Sequence, residues 1–196
     1  KSLKSENIKK IIYISSDAVY SDTKKKITEN SKTNPSSIHG AMHLHREKLL
    51  KIFYSLKKIT ILRPTLIYGK NDTHNSYGPN KFIRLAIKKQ TINLFGKGEE
   101  RRDHIHISDL IKIIYQSIIN NYIYGTFNVV SGKTYSFKKI AEKAFKISKN
   151  KLKIEFLERN GPMPHLGLRQ FENKKLKKNF KNLKFSNIDQ SLKEYL

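Results

Sequence analysis

The stretch SIHGAMHLHRE, residues 37–47, places His39 and His43 four apart, with His45 two positions further on. On a helix His39 and His43 share one face and His45 turns off it. Two imidazoles at that spacing can bind a metal, move protons near neutral pH, or stand solvated. A metal needs a third ligand that His45 does not supply, so no metal site is expected. Other chemistry-bearing residues lie at segment ends. Ser15, Ser16 and Asp17 close the apolar run KKIIYISSD, and Arg63 and Pro64 close KKITILRP. Arg102 follows the turn GKGEE, where its guanidinium fork suits bidentate phosphate recognition or an ion pair with Glu99, Glu100 or Asp103. Phe95, in the alternating INLF, reads from its own surroundings as a core aromatic. His104 and His106 face one side of a strand without a third ligand, which predicts hydrogen-bonded or exposed imidazoles.

These residues need elements to hold them. KKIIYISSD predicts a buried parallel strand over Ile11 to Ile14, and KKITILRP a second strand stopped by Pro64. Between them, residues 21–37 read as a loop and Gly40 to Leu56 as a helix whose apolar face is Leu49, Leu50, Ile52 and Phe53. YGKNDTHNSYGPNKF is a long loop of the kind that carries function. A helix over 80–89, strands at INLFG and RDHIHI, and a helix from Asp109 to Asn120 capped by Ser108 follow. GTFNVV is a strand, Ser131-Gly132 a turn, and a helix starts near Ser136. KIEFL is strand-like, GPMPHLG a Pro-rich loop, and the carboxyl end a basic helix pair. SLKSENI, residues 2–8, reads as the end of a helix. Strands alternating with helices predict an α/β fold with a largely parallel sheet, its ligand beyond the carboxyl ends of the strands.

The chain has 196 residues and a formal net charge of +24, with 40 Lys and Arg against 16 Asp and Glu. Lysine is spread along every segment, so the charge reads as a solvated surface rather than an Arg-rich nucleic-acid face. Only KNKLKIEFLERN and NKKLKKNFKNLK are dense enough to form a basic patch. There is no cysteine and no run long enough for a membrane span, from which a cytoplasmic chain without membrane contact is expected.

YISSDAVY, ILRPTLIYG, YGPNKFI, LFGKGEERRDHIHISDL and GTFNVVSGKTYSFKKIAE, in this order, resemble the extended short-chain dehydrogenase/reductases, in particular the NAD-dependent nucleotide-sugar epimerases and dehydratases. The resemblance implies a partial Rossmann-like sheet with a small carboxyl-terminal α/β substrate-binding subdomain. Residues 1–70 would be the carboxyl-side part of an NAD(P)-binding domain. Residues 71–196 would be mainly substrate-binding, with about 104–130 returning to the sheet. The family's Gly-rich dinucleotide turn is absent, so the chain reads as the carboxyl-terminal portion of such a protein. By position, Ser16 would orient the substrate hydroxyl, and Ser15, His43, Arg63 and Pro64 would meet NAD or NADP. Asn80, Phe95 and Arg102 would meet a nucleotide-sugar type small molecule, and a homodimer is the assembly the resemblance leaves open. The family's Y-x-x-x-K falls on His39 and His43, so both catalytic positions depart from its pattern. Three functions are therefore carried forward: an epimerase, dehydratase or reductase working by transient hydride transfer; a catalytically degenerate binding protein of the same fold; and a basic nucleic-acid binder.

Overall fold

The computed structural model describes residues 7–73, 75 and 78–196. Most of SLKSENI, expected to end a helix, lies outside the described residues. Strands β1 (Ile11–Ile14), β2 (Ile59–Pro64) and β6 (Gly125–Val129) form a parallel sheet in the order β1-β2-β6. Their β-branched side chains suit a sheet buried on both faces, and all six residues of β2 are buried. Helix α1 (Ile38–Phe53) connects β1 to β2, as a parallel pairing requires. A second sheet combines β3 (Leu66–Tyr68), β5 (Arg101–His106), β7 (Thr134–Ser136) and β9 (Leu168–Arg169). Thr65 is the single residue between β2 and β3. Its N–H donates to Val129 O (3.3 Å) in the first sheet and its hydroxyl to Asp103 O (3.1 Å) in the second. A third, parallel pair joins β4 (Ile92–Phe95) to β8 (Ile154–Leu157).

Helices α2 (Gly78–Ile87), α4 (Phe137–Ser148) and α6 (Ile188–Lys193) pack around β4 with Phe82, Ile83, Ile140, Phe145 and Leu192 at the centre. Helix α3 (Ile107–Ile119) and the short α5 (Lys174–Asn179) cover the first sheet through Leu110, Ile113, Leu176 and Phe180. A smaller cluster of Val19, Tyr20, Ile27, Val130 and Phe171 supports the chain after β1.

Two expectations about helices are corrected. The apolar residues Leu49, Ile52 and Phe53 do not face the core; Ile52 is 73% exposed. The sheet side of α1 is taken by Gly40 and Glu47, because Gly40 lets the helix approach the Ala18 carbonyl and Glu47 meets buried polar groups described below. Ser108 does not cap α3. The helix begins at Ile107, and Ser108 Oγ bonds His106 Nδ1 at 2.8 Å.

His104 is buried, and among the described residues neither ring nitrogen has a hydrogen-bond partner, contrary to expectation; the Phe137 ring lies 6.2 Å away. Burial, helped by Arg102, pushes its pKa down to about 3 from 6.5. The folded chain holds this imidazole neutral, whereas the unfolded chain protonates it below 6.5. Its contribution is therefore complete above that pH and is lost on acidification, by on the order of 1.4 kcal/mol per pH unit. His104→Leu removes the two unpaired nitrogens and should flatten the acid limb of urea-unfolding midpoints between about pH 7 and about pH 5. Identical limbs in wild type and variant would contradict this account.

Candidate active site

The strand end after β1 is built by local hydrogen bonds. Ser16 caps a 3-10 turn, Asp17–Val19, its Oγ accepting from Ala18 N–H at 3.2 Å. The Ser16 hydroxyl proton therefore remains available to a ligand. Ser37 caps α1 by accepting from Gly40 N–H at 3.1 Å, which sets the first turn of the helix beside Ser16. A cleft of about 420 Å³ opens here, lined by Ser16, Asp17, His39, Glu100, Arg102 and His165 among others.

His39 is exposed on this cleft, and its ring meets that of His43 edge-on at 4.6 Å. His43 is half-buried, with Nδ1 2.8 Å from the Tyr13 hydroxyl. Burial foremost, then His39 and Arg46, hold the His43 imidazole below its ordinary pKa, so it is neutral at neutral pH. His45 is exposed, and no group of three metal-binding side chains occurs among the described residues.

Beneath α1 lies a buried ion pair. Glu47 accepts from Arg63 Nε at 2.9 Å and Nη2 at 2.5 Å, and from Ser15 Oγ at 2.5 Å. The Arg63 guanidinium also stacks on Tyr20 at 4.7 Å. This places the Ser15 hydroxyl and the Arg63 side chain inside the protein, where both are engaged by Glu47. Pro64 ends β2 and is buried. Asn80 is likewise committed internally: its Oδ1 accepts from Gly69 N–H at 3.1 Å and from the Tyr195 hydroxyl, and its Nδ2 donates to Asp72 at 2.5 Å. It ties α2 to the chain after β3, and one Nδ2 proton is left without a partner among the described residues.

Arg102 and Phe95 lie differently. Arg102 Nε donates to Glu100 Oε1 at 2.7 Å, the ion-pair alternative, and its two terminal nitrogens have no partner among the described residues. Phe95 is 59% exposed and lines a second cavity of about 140 Å³ with Phe82, Leu94 and Arg159. Glu100 and Phe137 line both cavities, so the two lie next to each other across these side chains. Arg159 stands on the other side of Glu100 at 3.8 Å and donates to Phe95 O at 3.1 Å. Arg159 and His165 carried no signal in sequence beyond their types, because their partners are remote: Glu100 for one, Asp22 for the other.

The model of the NAD dependent epimerase/dehydratase family matches residues 1–129. The chain belongs to this family. An uncharacterised UDP-glucose epimerase of Bacillus subtilis is 26% identical over 156 residues, 78% of this chain and 49% of the relative. The dTDP-D-glucose 4,6-dehydratase of Dictyostelium discoideum is 25% identical over 159 residues, covering 74% of this chain and 36% of the relative. The chain thus spans half or less of these two relatives' length. Among solved structures, the UDP-glucuronic acid 4-epimerase of Bacillus cereus, in complex with UDP-glucuronic acid and NAD, superposes with a TM-score of 0.85 at 22% identity. That match covers 99% of this chain and 63% of the epimerase. A Pseudomonas aeruginosa protein complexed with NADPH superposes at 0.81 with 18% identity, over 93% of this chain and 63% of its own. The α/β architecture with parallel sheets is that of these proteins. No helix of the described residues is long and apolar enough to cross a membrane.

The family's cofactor, NAD or NADP, can be set against the residues present. The strand ends of β1 and β2, with His39 and His43 above them, fit a nicotinamide and its ribose: they offer imidazole nitrogens and an available Ser16 proton. No Gly-rich turn for a dinucleotide pyrophosphate occurs in the 196 residues.

Proposed function

We propose that this chain supplies the substrate side and the proton-transfer helix of an NAD(P)-dependent enzyme that epimerises, dehydrates or reduces a nucleotide sugar. The supporting observation is the adjacency of the two cavities, which share Glu100 and Phe137 in their walls. A nucleotide sugar has a flat base, an anionic linker and a polyol, and the two neighbouring cavities offer a partner for each. The exposed Phe95 face is a stacking platform for the base. Arg102 and Arg159 flank Glu100 between them, where a diphosphate can replace the carboxylate as their counter-ion. Ser16 and His39 then stand at the sugar end. Residues 1–70 form the carboxyl-side part of the cofactor domain in this reading and 71–196 mainly the substrate subdomain, with about 104–130 returning to the first sheet.

In this reading the Ser16 hydroxyl donates to the sugar oxygen and fixes its orientation. His39 Nε2 or Nδ1 takes the hydroxyl proton, and the neutral His43 beside it favours a single charge on the pair. The nicotinamide, when bound, supplies the hydride acceptor. His43, with Nδ1 engaged by Tyr13, has one nitrogen left for a ribose hydroxyl and no permanent charge.

Calorimetric titration with UDP-glucose tests the binding claim. Arg102→Ala and Phe95→Ala should each weaken binding, by roughly tenfold, since losing a charged hydrogen bond costs about 1.5–3 kcal/mol and losing a base–aromatic stack about 1–3 kcal/mol. Unchanged affinity in both variants would refute it. The Tyr13–His43 bond favours a second reading, a degenerate binding protein, because it occupies an imidazole where the family pattern has lysine. The double substitution His39→Tyr, His43→Lys, in a form able to bind NAD, separates the two. Turnover gained only by the variant supports degeneracy, and turnover already present in wild type excludes it.

A further inference from the structure

We propose that His165, oriented by Asp22, is a second acid–base residue of the cleft and serves enolisation of a keto-sugar intermediate. The inference rests on the nucleotide-sugar reading of the cleft and adds a second proton transfer to it.

The geometry is that of an oriented imidazole. His165 Nδ1 lies 2.5 Å from Asp22 Oδ1, and Arg169 Nη1 lies 3.1 Å from the same oxygen. Arg169 also pairs with Asp17 at 2.8 Å and is 2% exposed. The Asp22 carboxylate accepts from Arg169 Nη1 and offers His165 an acceptor only. The proton must therefore sit on His165 Nδ1, and the 3.0 Å approach of Arg169 Nη1 to Nδ1 is the third side of a triangle, not a hydrogen bond between two donors. Neutral His165 then carries its lone pair on Nε2. That nitrogen has no partner among the described residues, and His165 lines the same cleft as Ser16, His39 and Arg102. Burial, Arg102 and Arg169 lower its pKa, which leaves it neutral and able to accept a proton.

The backbone holds this side chain in an unusual conformation. His165 (φ 49°) and Leu166 (φ 54°) are consecutive non-glycine residues in the left-handed region, followed by Gly167 at φ 81°. Such a conformation persists where the surroundings over-determine it, and here the Asp22 and Arg169 contacts do so.

Oxidising and re-reducing one carbinol carbon releases and recovers a single hydroxyl proton, which one imidazole serves. A second oriented imidazole fits a second transfer. Once the carbonyl exists, the C–H bond on the neighbouring carbon breaks and its proton passes to His165 Nε2. The electron pair forms the C=C bond, and the carbonyl oxygen takes the charge within reach of the Ser16 donor. The imidazolium, stabilised by Asp22, returns a proton to the face from which it was taken, and exchange with solvent in between leaves its mark as deuterium.

This step needs no nicotinamide when the carbonyl is already present, so it can be measured on this chain with a UDP-4-keto-6-deoxyglucose probe in D2O. Mass spectrometry should show deuterium entering the carbon beside the carbonyl. His165→Gln and Asp22→Asn should each slow that exchange by roughly 10²-fold, the lower range for loss of a general base. His45→Gln, outside the cleft, should not change it. Calorimetry on the same samples separates the failures. If the probe does not bind, the nucleotide-sugar reading falls and this inference with it. If it binds but exchange stays at the buffer rate, or is unchanged in both cleft variants, only the inference is overturned.

Discussion

Glu47→Ala should remove about 3–5 kcal/mol of folding stability, the cost of leaving one partner of a buried ion pair uncompensated. Arg63 is 4% exposed; its Nε and Nη2 donate to the Glu47 carboxylate, while Nη1 is buried without a partner among the described residues. Glu47, with Tyr20, raises the Arg63 pKa against the opposing effect of burial, so the guanidinium cannot escape by losing its proton. The Ser15 hydroxyl loses its acceptor at the same time. For a domain stable by about 5–15 kcal/mol, this is a large fraction of the whole. The double replacement Glu47→Leu, Arg63→Met should cost far less, because it removes both desolvated charges together. Urea-unfolding midpoints of the three proteins decide it. If Glu47→Ala lies within about 1 kcal/mol of wild type, the pair is not the anchor of α1.

Gly40→Ala should also destabilise, although alanine is the better helix former by about 1 kcal/mol. A Cβ at this position would run into the Ala18 carbonyl oxygen and come within 2.7 Å of Pro35 Cβ. The first obstacle is backbone and cannot swing away, so α1 must move outward. We expect a net loss of about 2 kcal/mol after the propensity gain, in the range of overpacked cores. The same shift carries His39 away from Ser16. UDP-glucose affinity should therefore fall together with the thermal midpoint. A variant more stable than wild type would mean that helix and turn are not in the contact described.

The first two parallel strands were legible because β-branched runs have few alternatives: Ile11–Ile14 and KKITILRP fall where β1 and β2 lie, although β1 is half-buried rather than buried and only β2 is buried throughout. Leu66–Tyr68 and Thr134–Ser136 were not, since three residues carry no period and their pairing partners are distant in sequence. The α1 face was misjudged because Leu49, Ile52 and Phe53 outscore Gly40 and Glu47 in hydrophobicity, while close approach and charge pairing decide which side faces the sheet. At the cleft, the place of Arg102 and its pairing with Glu100 could be read locally. The withdrawal of Ser15 and Arg63 into the Glu47 pair could not, and neither could His165, whose partner Asp22 is 143 positions away.

Thr65 gives the cleft a fixed gauge. Ser16 stands at the end of β1, which is laddered to β2, and Arg102 sits on β5, which is laddered to β3. Between β2 and β3 there is one residue, bonded to both sheets. A single extended residue spans about 3.3–3.6 Å and leaves no slack for the two walls to hinge. The distance from Ser16 to Arg102 is thus set by strand pairing and this one residue, and in the proposed reading it fixes the span from sugar to diphosphate. Molecules would be sorted by the length between their polyol and their negative charge, much as a caliper locked at one opening sorts parts.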